Sequence, residues 1–129
     1  MKRLATLLLS CAALATASSC SKDDATPTGP KEYQVEYRIS STTAPASDYI
    51  SYDNESGGTT TVNNVPLPAT YRFKRTMKQG DHLSLLASLN GGTAASEITA
   101  AILLDEREVK KETGRGTNAQ AVPVYVIGQ

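Results

Sequence analysis

Few residues in this chain have the types and spacing that chemistry requires. His82 is the single histidine, and since no cysteine lies beyond Cys20, a zinc ion there would have to take its other ligands from carboxylates. A solvated strand histidine beside Ser84 is the expectation. Asp105, Glu106, Glu108 and Glu112 cluster in sequence, as paired catalytic carboxylates or calcium ligands would. Arg107, Lys110 and Lys111 are interleaved with them, however, and mixed signs at that spacing describe a solvated hairpin or helix face. No serine sits in a Gly-x-Ser-x-Gly elbow, and Gly114-Arg115-Gly116 lacks the third glycine and the following helix of a dinucleotide loop. These readings point to a protein that is not an enzyme and needs neither metal nor cofactor.

Two sets of residues could instead make a surface. Arg72, Lys74 and Lys78 share one face of a strand and could meet phosphate, acidic glycans or an acidic partner. Leu86 and Leu103 interrupt outward faces that are otherwise polar or small, so they are candidates for a docking patch unless a neighbouring segment covers them. The chain carries 13 basic and 13 acidic residues. That balance gives nucleic acid no electrostatic reason to bind.

Cys20 owes its chemistry to what precedes it. Met1-Lys2-Arg3 is followed by an apolar run from Leu4 to Ala17 and by the small residues Ser18 and Ser19, which together make a charged n-region, an h-region and a small-residue cleavage site. At roughly 14 residues the run is shorter than the ~20 a membrane-spanning helix requires. The stretch Leu14-Ala15-Thr16-Ala17-Ser18-Ser19-Cys20 resembles the lipobox of bacterial lipoproteins, with Ala17 and Ser19 departing from its commonest residues. Lys22, Asp23 and Asp24 look like the surface-export signal of Bacteroidota lipoproteins. The resemblance implies a signal peptide over residues 1–19, cleavage before Cys20 and acylation of its thiol. Several acyl chains there would anchor the chain stably in the outer membrane, at its periplasmic face or on the cell surface.

Residues 20–31 then form an acylated cysteine and a flexible linker, since Ser21 to Lys31 holds Pro27, Gly29 and Pro30 and no apolar side chain able to seed a core. Fully extended at ~3.3 Å per residue, it reaches roughly 36 Å. Residues 32–129 suffice for one domain with a modest core. Neither cysteine lies in that domain, so packing alone must hold it.

The elements positioning these residues read as strands. Tyr33, Val35, Tyr37 and Ile39 alternate with Gln34, Glu36 and Arg38, and Ile50 and Tyr52 with Tyr49 and Ser51; period two is the signature of a half-buried strand. Thr59 to Val62 is β-branched. Val65-Pro66-Leu67-Pro68 lacks two amide donors and belongs at an edge or a crossover. Tyr71, Phe73, Arg75 and Met77 oppose the basic residues, and Leu83, Leu85, Ala87 and Leu89 oppose His82, Ser84, Leu86 and Ser88. Residues 97–112 are ambiguous: Ile98, Ala100, Ile102 and Leu104 alternate, which predicts two strands joined near Asp105-Glu106, but the composition also suits a helix capped by Gly114. Beyond a turn at Gly114-Arg115-Gly116, Ala121 to Ile127 is a last strand, expected in the centre of a sheet although Pro123 argues for a bulge or an edge. The sum is an all-β, immunoglobulin-like sandwich of about 7–8 antiparallel strands.

The order Ile50-Ser51-Tyr52-Asp53, Val65-Pro66-Leu67-Pro68 and Ile102-Leu103-Leu104-Asp105 resembles the MmpS-like family from Tyr33 to Ile127. The chain departs from it in having Ala69 where an aromatic is common and Asp105-Glu106 where the late hairpin carries Asp-Gly, and it lacks the cysteine pair of the mycobacterial branch. The resemblance implies a small extracytoplasmic β-sandwich beside the membrane, and its mycobacterial members are accessory partners of large lipid and siderophore exporters. The expectation is therefore a lipid-anchored, non-catalytic domain that binds an envelope protein, with surface carbohydrate binding as the alternative.

Overall fold

The computed structural model describes residues 29–129. Cys20, Lys22, Asp23 and Asp24 lie outside the described residues. Nine strands follow one another: β1 Lys31–Ser40, β2 Ala46–Asp53, β3 Thr59–Pro66, β4 Ala69–Met77, β5 His82–Leu89, β6 Glu97–Leu104, β7 Arg107–Arg115, β8 Ala119–Ala121 and β9 Val124–Val126. The first begins at Lys31, the residue the sequence assigned to the end of the linker. All pairings are antiparallel. Sheet I has the order β4-β1-β6-β7, and sheet II the order β3-β2-β5-β8, with β9 also pairing β5. Two such layers make a small β-sandwich, the class the alternation predicts.

Period two decides which side chains meet between the layers. Val35, Tyr37 and Ile39 of β1, with Ile98, Ala100 and Ile102 of β6, face Ile50 of β2 and Leu83, Leu85 and Ala87 of β5, all essentially without exposure. Each large apolar side chain buried this way contributes about 1.5–3 kcal/mol of transfer free energy. Tyr37 is the largest of them. Its hydroxyl donates to the Asp53 carbonyl at 2.9 Å, which satisfies the one polar atom it carries into the core, and burial pushes its acidity well below that of an ordinary phenol. Around it Tyr52, Phe73 and Tyr71 stack or tilt at centroid distances of 5.4, 5.7 and, between Tyr52 and Tyr71, 4.6 Å. Arg75 points into the same layer, and its buried Nη1 has no hydrogen-bond partner.

Residues 97–112 form the hairpin and not the helix. The turn residues Asp105 and Glu106 have φ of 48° and 68°, the pair of positive angles that a two-residue turn needs to follow the twist of its strands. Asp105 holds the turn against β1: its amide donates to the Gln34 carbonyl at 2.9 Å, and its Oδ1 accepts the Gln34 amide at 3.0 Å. Val65 and Pro66 end the edge strand β3, and the chain crosses from sheet II to sheet I at Leu67-Pro68, as the missing donors predict.

Two expectations are corrected here. Gly114 is not a turn residue but belongs to β7, which runs on to Arg115. The last strand is not central. It lies at the edge of sheet II, and it is two strands, which raises the total to nine. The reason is Pro123. Its neighbours on either side keep one register with β5, Ala121 opposite Ala87 and Val124 opposite Ser84, so β8 and β9 are one strand interrupted where proline has no amide to give.

Candidate protein-binding face

The alternation of that interrupted strand sends Ala119, Ala121, Pro123 and Ile127 into the core, so the residues between them are turned outward. They are Gln120, Val122, Val124 and Val126. Val122 and Val124 are 39% and 45% exposed, the large apolar side chains most open to solvent among the described residues. On β5 the register places Ser84 opposite Val124 and His82 opposite Val126. Carried across the break, it sets Leu86 opposite Val122. Leu86, flanked on its other side by Ser51, is half-buried. The outer face of sheet II thus holds a contiguous apolar strip along its edge.

Its backbone is also open. The Leu85 amide donates to the Pro123 carbonyl at 3.1 Å, so Pro123 directs its polar group toward β5, and in an antiparallel ladder the adjacent residues direct theirs away. The amides and carbonyls of Val122 and Val124 therefore face the free side of the sheet, where no further strand pairs. Sheet edges are ordinarily guarded by charge. Residues 116–129 contain none.

Of the residues singled out from sequence, Leu86 lies in this strip and Leu103 does not. Leu103 faces the outer side of sheet I, between Glu36 of β1 and Glu108 of β7, yet it is only 3% exposed. A side chain so little exposed offers no surface to a partner. The basic residues Arg72 and Lys74 of β4 remain exposed but have acidic partners on β1. Arg72 donates to Glu36 through Nε to Oε2 at 3.0 Å and through Nη2 to Oε1 at 3.4 Å, Arg38 Nε donates to the same Oε1, and Lys74 pairs with Glu32 at 3.5 Å. Glu36, expected on the solvated face, is 4% exposed. The Arg72 and Arg38 guanidiniums hold its carboxyl below the usual carboxylate range, against the opposing effect of burial. Two guanidiniums thus share the one Glu36 carboxylate, and Lys74 has the Glu32 carboxylate.

His82 is exposed, with Nε2 3.9 Å from Asp53 Oδ2, an oxygen that also accepts the Ser84 amide at 2.8 Å. Among the described residues no three His, Cys, Asp or Glu side chains come together as metal ligands would. Tyr49, the aromatic a glycan could have stacked on, is half-buried in its row between Asn63 and Ser88. At the far end of the sandwich a cleft of about 350 Å³ opens between residues 43–46 and 89–96. Its hydroxyls are largely occupied internally: Thr43 Oγ1 accepts the Glu97 amide, and Ser96 Oγ accepts the Thr93 amide. No family model matches the chain, and no curated protein matches it. The geometry of the face has to carry the functional reading by itself.

Sequence reasoning reached Leu86 and missed the valines beside it. The signal was present. Continuing the period of two through Pro123, without treating the proline as an end, places Val122, Val124 and Val126 on the face opposite Ala121 and Tyr125.

Proposed function

We propose that the chain is a lipid-anchored, non-catalytic β-sandwich of the cell envelope or surface that binds a protein partner through the strip formed by Leu86, Val122 and Val124. The observation that carries this reading is the pair of exposed valines on an uncharged sheet edge. Exposed apolar side chains on a folded domain lose free energy to water unless something covers them, and an edge with open amides and carbonyls offers an extended backbone a place to pair. Acylation at Cys20 confines the domain to a membrane surface, where a weak contact is strengthened by high local concentration. An envelope transporter, the partner that the MmpS-like resemblance implies, is the first to test.

The test is photo-crosslinking in membranes, with the reactive side chain at position 124 and, as control, at position 111 on β7. A discrete adduct from position 124 that disappears when Leu86→Asp is added supports the reading. Equal adducts from both positions, or none from 124, remove it. Labelled palmitate that fails to enter the parent chain removes the anchor.

A further inference from the structure

We propose that Arg38, Arg72, Gln34 and Glu106 form a site on the outer face of sheet I for a sugar acid, a ligand with one carboxylate and neighbouring hydroxyls. The inference goes beyond the apolar strip, which lies on sheet II, and does not depend on it. It starts from Glu36. On β1 this residue sits between Arg72 of β4 and Leu103 of β6, and a carboxylate buried on a sheet face has to be paired. It holds two guanidiniums, Arg72 through Nε and Nη2 and Arg38 through Nε. Every other ion pair among the described residues joins one basic side chain to one carboxylate. Here two positive charges meet one negative charge.

The surplus charge is in a form that a ligand can use. A guanidinium carries five N–H donors in one rigid plane. Held through Nε, Arg38 keeps both Nη groups without a partner among the described residues, and Arg72 keeps Nη1. Both side chains are more than half exposed. They line a cleft of about 380 Å³ whose other residues are Gln34, Glu36 and Glu106. Because the shared carboxylate fixes both planes, an incoming carboxylate meets donors already oriented, and less side-chain freedom is lost than on binding two unrestrained arginines.

The lining selects among anions. It contains no apolar side chain, so it lacks the buried anchor on which a protein partner or an acyl chain depends. Hydroxyls suit it instead: the Gln34 amide both donates and accepts, and the Glu106 carboxylate accepts. Glu106 is in no ion pair with either arginine and adds a second negative charge to the cleft. A ligand with one carboxylate keeps its hydroxyls toward Glu106, whereas the second charge of a phosphate, or the several charges of an acidic peptide, would meet that carboxylate as a like charge. Guanidiniums facing solvent give modest affinity, with a dissociation constant on the order of 1–10 mM.

The experiment follows the arginine Nε–H resonances of the full chain in detergent while sodium glucuronate, sodium acetate, sodium phosphate or glucose is added at constant ionic strength. The expected result is a saturable shift of the Arg38 and Arg72 signals with glucuronate, weaker binding of acetate and of phosphate, and no shift with glucose. Arg115, whose Nε donates to Glu97 at 3.1 Å as a single pair, is the internal reference and should not respond. Arg38→Lys and Arg72→Lys keep the charge and remove the planar fork, so each should weaken glucuronate binding by about 5-fold or more. Acetate or phosphate that binds the unmodified chain as tightly as glucuronate overturns the sugar acid. Shifts that never saturate, that Arg115 shares equally, or that persist undiminished in both lysine variants overturn the site. Should a lysine variant fail to fold, the comparison of the four probes on the unmodified chain decides.

Discussion

Gly114 lies against the backbone of Gln120 so closely that a Cβ added to it would stand 1.9 Å from the Gln120 carbonyl oxygen and 2.6 Å from its nitrogen. β7 is the edge strand of sheet I and β8 the edge strand of sheet II, so this contact is where the two layers close on each other. Backbone on both sides means that no side chain can rotate away. Gly114→Ala should therefore lower the unfolding free energy by about 3 kcal/mol, the upper part of the overpacking range, in urea or thermal denaturation. Gly29, with nothing within 4 Å of an added Cβ, is the control, and Gly29→Ala should be neutral. Equal stability of the two variants would mean the layers do not meet there.

Glu106 occupies the left-handed region with φ 68°, a conformation that costs an ordinary L residue roughly 1–2 kcal/mol and glycine almost nothing. Glu106→Gly should stabilise the domain by about 1 kcal/mol, since the turn type prefers glycine at that place. Asp105→Ala should act the other way, because the Asp105 side chain accepts the Gln34 amide. Thermal denaturation of both variants checks the pair of signs.

The Glu36 carboxyl is held below its ordinary value of about 4.5, chiefly by the Arg72 hydrogen bond and also by Arg38; Asp105 is held below its own, chiefly by the Gln34 amide and then by Lys31. Both are groups with depressed folded-state pKa. The stability they add is complete above their unfolded values and is lost as pH falls through their folded values. Denaturation midpoints should hold from pH 7 to about 5 and decline in more acidic solution. Glu36→Gln should flatten part of that decline. An unchanged acid slope in Glu36→Gln would show that the two guanidiniums do not hold the carboxylate.

Leu103 and Val124 both face outward by strand period, but only Val124 is open to solvent. Leu103→Ala should cost about 2–3 kcal/mol, as truncation at a buried site does, while Val124→Ala should change stability by less than about 0.5 kcal/mol. Crosslinking from the strip should respond in the opposite order. If Val124→Ala unfolds the domain as readily as Leu103→Ala, the strip is part of the structural core and not a surface for a partner.

The β-sandwich was legible because period two depends only on neighbours along the chain. Val35-Tyr37-Ile39 and Leu83-Leu85-Ala87 name their own buried faces before any partner strand is known, and Ile98-Ala100-Ile102-Leu104 does the same against a helix-favouring composition. The turn at Asp105-Glu106 was legible too, as the one polar break in that run. The binding face was only partly so. Leu86 stood out as an apolar residue on a polar face, but Val122 and Val124 sit beside a proline that reads as an end to pairing, when in the folded chain the register resumes on its far side.

By itself, then, the sequence determined which side of each strand is apolar and where most of the turns fall. Only the tertiary structure decided what those faces meet. Leu103 became buried and Val124 stayed open although both alternate outward. Arg72 and Lys74 found acidic partners in Glu36 and Glu32 across neighbouring strands, and Gly114 passed from a turn to the contact that closes the two layers. The physical reason is common to all three cases: exposure, ion pairing and close approach are properties of residues distant in sequence, fixed by strand order and register, and a local pattern carries none of them.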